Sequence, residues 1–85
     1  MKRPFIKAFN ELTKLGCPVF ERSDYPGRFL ISAEDSKSYQ WADYYAYADN
    51  RWKGENTSPK LDEVLSKYKL YAEWENPGCL IVFEN

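Results

Sequence analysis

The closing sixteen residues constrain the fold more than any other stretch. They read Leu-Tyr-Ala-Glu-Trp-Glu, then Asn-Pro-Gly, then Cys-Leu-Ile-Val-Phe-Glu-Asn, from Leu70 to Asn85. Two β-favouring runs flanking a turn signal predict an antiparallel pair. Pro77 pre-sets the φ of the second turn position, and Gly78 is expected to supply the positive φ of a type II turn. The first run alternates, with Leu70, Ala72 and Trp74 on one face and Tyr71, Glu73 and Glu75 on the other. The second run, Cys79 to Phe83, is apolar on both faces, which predicts a strand covered on both sides in the middle of a sheet. An apolar run this close to the end of a chain cannot be left in water. Phe83 is therefore expected to pack against one layer and Val82 against the other, among Phe9, Leu12, Leu61 and Leu65.

The remaining elements follow in chain order. Pro4 to Leu15 reads as an amphipathic helix, with Phe5, Ala8, Phe9, Leu12 and Leu15 on one face and Gly16 at the C-cap. Cys17 to Arg22 and Arg28 to Ser32 read as strands joined by the turn residues Ser23 to Gly27. Ala33 to Ser38 reads as a polar loop. Tyr39 to Trp52 fits two patterns: a strand with Tyr39, Trp41, Asp43, Tyr45 and Tyr47 on one face, or a helix with a stripe of Trp41, Tyr44, Tyr45, Ala48 and Trp52. Aromatic richness favours a strand over Tyr39 to Tyr47, and that reading is preferred to the helix that the alanines suggest. Ser58 and Pro59 open a second helix whose apolar face carries Leu61, Val64, Leu65 and Tyr68. The expected fold is α+β, a single domain over residues 1–85. It has an antiparallel sheet of about five strands with two helices packed on one face, in the order α-β-β-β-α-β-β.

That order also begins like a double-stranded-RNA-binding domain. The second helix of such a domain opens with a basic cluster, whereas this one opens Ser58-Pro59-Lys60-Leu61-Asp62-Glu63, so the likeness is set aside.

Reactive chemistry has little to build on. The chain has no His, which removes the commonest general base and the commonest metal ligand. Cys17 and Cys79 lie in apolar contexts without a CxxC or cationic cluster, and read as buried inert thiols. Glu73 and Glu75, two apart on one strand face, have the spacing of a glycosidase pair but read as a solvated face. The expectation is no enzyme, no cofactor and no metal site. Lys7, Asn10, Glu11 and Lys14 interrupt any apolar leader, and no run approaches the ~18 apolar residues of a membrane span, so a cytoplasmic protein is expected.

The departure from ordinary composition is 18% aromatic residues: seven Tyr, five Phe and three Trp. Tyr39, Trp41, Tyr44, Tyr45, Tyr47 and Trp52 fall within fourteen residues and on a strand occupy both faces, so either one face is core and the other packs under a loop, or some of the rings form a binding surface. Net charge is −1, so a nucleic-acid partner is disfavoured. Residues 61–85 nevertheless carry five acidic and two basic groups. Tyr and Trp dominate binding hot spots because they bring large contact area at little entropic cost. The expected function is a protein-binding module with Tyr39, Trp41, Tyr45, Tyr47 and Trp52 as anchors on an acidic, aromatic surface. By analogy, this is how a phage or mobile-element accessory protein that inhibits or modulates a host protein would be built. The alternative is a module stacking sugars or nucleobases on the same rings. Any exposed sheet edge also offers a route to a homodimer.

Overall fold

The computed structural model of the chain describes residues 1–34, 38–48 and 50–85, with Tyr47 described through its backbone alone. Helix α1 spans Arg3–Lys14, and strands β1 (Val19–Phe20) and β2 (Leu30–Ser32) follow. Two 3-10 turns, Ser38–Gln40 and Ala46–Ala48, precede helix α2 (Pro59–Lys67) and strands β3 (Leu70–Asn76) and β4 (Cys79–Glu84). The sheet is antiparallel throughout, in the order β1-β2-β4-β3.

Both helices are stopped by identifiable caps. At the end of α1, Gly16 takes φ +88° and donates to Thr13 O, while Cys17 N–H reaches back to Leu12 O at 2.9 Å. This double bond pattern satisfies carbonyls the helix leaves open and needs a left-handed residue, which Gly supplies without strain. At the start of α2, Ser58 Oγ accepts from Leu61 N–H at 3.1 Å, with Pro59 in the first turn. α2 ends less comfortably, since the left-handed position after it is Lys69 (φ 59°).

The closing strand lies inside the sheet, as its two apolar faces require. Leu80 pairs with Ile31 and Trp74, and Ile81 with Leu30 and Glu73. Leu80 and Val82 face the helices and join Phe5, Ala8, Leu12, Phe29, Ile31, Leu61, Val64 and Leu65 in the main core. Phe29 is wholly buried there, with the rings of Phe5 and Phe9 meeting it edge-on at 6.4 and 5.4 Å. Among the described residues no helix lies over the second face of β4. Leu30, Cys79 and Ile81 form a smaller cluster edged by Phe20, Tyr25 and Phe83. Arginines roof it: Arg28 lies 4.9 Å from the centre of the Phe83 ring, and Arg22 lies 5.4 Å from that of Tyr25. Arg22 also bonds Asp24 at 2.7 Å and Glu75 at 2.5 Å. Long cationic stems covering apolar surface while their heads stay wet replace a third layer.

Three expectations are corrected. The sheet has four strands, since Tyr39 to Tyr47 is not a strand; apart from an isolated bridge between Ala42 and Thr57 it pairs with nothing among the described residues. The order is α-β-β-α-β-β, which also removes the likeness to the RNA-binding domain. Finally, the β3–β4 turn does not use Gly78 for positive φ; the glycines with positive φ are Gly16, Gly27 and Gly54. Asn76 Oδ1 instead accepts from Gly78 N–H at 2.8 Å, and Glu75 is an extra residue between the pairs Trp74–Leu80 and Asn76–Cys79. A Cβ at Gly78 would lie 2.5 Å from Glu34 Oε1 and 2.6 Å from its Cγ, so a larger residue there would displace the exposed Glu34 side chain. Of the loop expected over Ala33 to Ser38, residues 35–37 lie outside the described residues.

Candidate binding surface

The described residues of 38–57 form a tied loop in which Ala42 and Ala46 go in and Tyr39, Tyr44 and Tyr45 go out. Trp41 and Ala42 N–H both reach Ser38 O, at 2.8 and 2.9 Å, and Ala46 N–H reaches Asp43 O at 3.0 Å. The Asp43 carboxylate accepts from Tyr45 N–H at 3.0 Å, a local bond that competes with any strand ladder. Asp43 N–H to Asn56 O and Ser58 N–H to Trp41 O, each 2.9 Å, fasten the loop to the residues leading into α2. Small side chains let this backbone approach the core: Ala42 and Ala46 are fully buried. Two of the three alanines that suggested a helix thus have their use in close packing, while Ala48 is exposed.

Arg51 clamps the loop. Its guanidinium donates to Tyr39 O at 2.7 Å and to Asp43 Oδ2 at 2.9 Å, and lies 5.0 Å from the centre of the Trp52 ring. Asn56 Nδ2 donates to Tyr44 O. These bonds hold outward Tyr39 (43% exposed), Tyr44 (37%) and Tyr45 (61%). Tyr44 meets Tyr45 edge-on at 5.3 Å and Trp74 of β3 at 5.2 Å, so the rings form a row that reaches the sheet edge.

The expected anchors therefore separate. Tyr39 and Tyr45 stand on this surface, and Trp52 is half-buried beneath Arg51. Trp41 is corrected: it is 6% exposed and belongs to the main core, so it is unavailable to a partner. Its indole Nε1 has no hydrogen-bond partner among the described residues. The side chain of Tyr47 lies outside the described residues. Sequence pattern missed Tyr44, assigned to the opposite face of a strand, and the clamps Arg51 and Asn56, which carry no local signal.

Other candidate chemistry is quiet. Glu75 is ion-paired with Arg22, while Glu73 has no ion-pair partner among the described residues. Cys17 and Cys79 are both buried and unbridged, in clusters on opposite faces of the sheet. Burial pushes the Cys17 thiol up to about 12 and raises that of Cys79, so neither is a thiolate near neutrality. Among the described residues no three acidic or Cys side chains gather as metal ligands, and no helix is long and apolar enough to cross a membrane.

Comparison of the chain with protein-family models, with curated proteins and with solved structures finds no match in any of the three.

Proposed function

We propose that this chain is a small protein-binding module that captures its partner on the surface made by Tyr39, Tyr44 and Tyr45. The observation that carries the reading is the combination of exposure and restraint: three outward tyrosines on a backbone tied by Arg51, Asp43 and Asn56. Rings already held in place lose little further freedom on docking, which is what raises affinity per contact. The immediate surroundings favour a protein over a nucleic acid, because the cation beside the tyrosines, Arg51, is engaged by Asp43.

The test is a pair of variants with opposite readouts. Tyr39→Ala with Tyr45→Ala is expected to abolish partner capture while changing stability by no more than about 0.5 kcal/mol per site, as for exposed positions. Trp41→Ala is expected to cost about 3–5 kcal/mol, as for a buried large ring. Capture from host extract that survives the double tyrosine variant would refute the reading. Binding on a glycan or oligonucleotide array, lost with the same tyrosines, would replace it with the ring-stacking alternative.

A further inference from the structure

β3 is an edge strand of seven residues, and among the described residues no backbone group pairs with its outer side. Edges this long are normally shielded, because their unpaired N–H and C=O groups invite another strand. Beside this one runs a groove. α2 lies over β3, and Asp62, Leu65 and Ser66 of the helix face Leu70, Tyr71 and Ala72 of the strand across an open cleft of about 200 Å³. Trp74 continues the inward row of β3, and Tyr44 and Tyr45 close that end. The cleft and the tyrosine surface are thus two ends of one track along the edge.

Three carboxylates stand along the track. On the face of β3 turned away from the helices stand Glu73 and Glu75, and Asp62 sits on the wall of the cleft. Glu75 is met by Arg22, whereas Glu73 is exposed and has no ion-pair partner among the described residues. This pattern speaks against a second copy as occupant. Antiparallel pairing of β3 with itself about its midpoint would set Glu73 against Glu73, a destabilising like-charge pair.

We infer that the β3 edge, with the α2 groove beside it, accepts an extended basic segment of a partner protein as an added strand. Main-chain bonds to β3 hold the segment, while its alternate side chains enter two environments. One set, apolar and of modest size, faces Leu65, Leu70 and Ala72 in the cleft and ends on Tyr44 and Tyr45. The other set, Lys or Arg, lies beside Tyr71, Glu73 and Glu75. This inference rests on the protein-binding reading above and names the partner class for it.

The probe is an eight-residue peptide of alternating Val and Lys, blocked at both ends, titrated into isotope-labelled protein with amide shifts as readout. Shifts are expected in residues 62–66 and 70–76. Glu73→Lys should weaken binding by about tenfold, as charge reversal beside a bound cation does. Ser66→Trp, at an exposed helix position, should block the cleft. N-methylation of alternate peptide amides should abolish binding. Equal binding by Glu73→Lys or by the methylated peptide would overturn the inference, as would silence of β3 and α2 throughout the titration. Peptide shifts confined to Tyr39, Tyr44 and Tyr45 would overturn strand addition and leave the protein-binding reading standing. Concentration-dependent dimerisation with amide shifts in residues 70–76 in the absence of peptide would overturn it in favour of a second copy.

Discussion

Leu80 and Ile81 are neighbours in one strand but face two cores of different construction, and paired truncations measure the difference. Leu80 is fully buried between the sheet and both helices, while Ile81 (6% exposed) lies in the smaller cluster edged by Phe20, Tyr25 and Phe83. Truncation of either to Ala removes three carbons, a transfer loss of about 2.4 kcal/mol at about 0.8 kcal/mol per carbon. The remainder depends on collapse. Around Leu80 the walls are helices and strands that cannot close in, so a residual cavity of roughly 80 Å³ adds about 2 kcal/mol. Around Ile81 the cover is half-buried rings, with Arg22 over Tyr25 and Arg28 over Phe83, and these side chains settle into the space. Leu80→Ala is therefore expected to cost about 4 kcal/mol and Ile81→Ala about 2.5 kcal/mol. A chain of 85 residues has about 4–13 kcal/mol in total, so both losses are large fractions. In urea, with m of about 1 kcal/mol per M, the midpoints should fall by about 4 M and 2.5 M. A Leu80→Ala chain with no cooperative transition would keep that order. Ile81→Ala equal to or worse than Leu80→Ala would refute the reasoning, since it would mean that the arginine roof packs as rigidly as the helices.

Two further outcomes concern the helices. Glu11 joins α1 to α2 through Lys67 Nζ and the Tyr68 hydroxyl, each 2.6 Å away, and those bonds hold its carboxyl below the usual range. A depressed folded pKa means the stabilisation is whole above the ordinary carboxylate value and fades as pH falls through the lowered one. The thermal midpoint of wild type should thus exceed that of Glu11→Gln at pH 7, and the gap should narrow below about pH 4; a gap constant with pH would contradict this. Lys67 and Tyr68 are raised by the same contacts, so their share is present at neutrality and lost as pH rises through their raised values. Lys69→Gly should raise stability by about 0.5–1 kcal/mol, because glycine takes the left-handed angle after α2 without the Cβ penalty; a destabilised variant would show that Lys69 is held by something other than its backbone.

Local chemistry determined the elements whose signals are complete within a few residues. Gly16 after the stripe of Phe5, Ala8 and Leu12 marks one helix, and Ser58-Pro59 before Leu61, Val64 and Leu65 marks the other. The unbroken apolar run of β4 required an interior strand whatever surrounded it. Only tertiary structure decided residues 39–52, because their pattern satisfies both periods and the choice rests on distant partners. The backbone of Asn56 and Ser58, the clamp by Arg51 and the space left for Ala42 and Ala46 turned the segment into a loop. The same packing sent Trp41 inward and Tyr44 outward, which face alternation alone cannot specify. The cover on the second face of β4 was equally invisible in sequence. Arg22 and Arg28 read as surface charges until the turn between β1 and β2 brings them over Tyr25 and Phe83, where long stems shield apolar surface and charged heads remain in water.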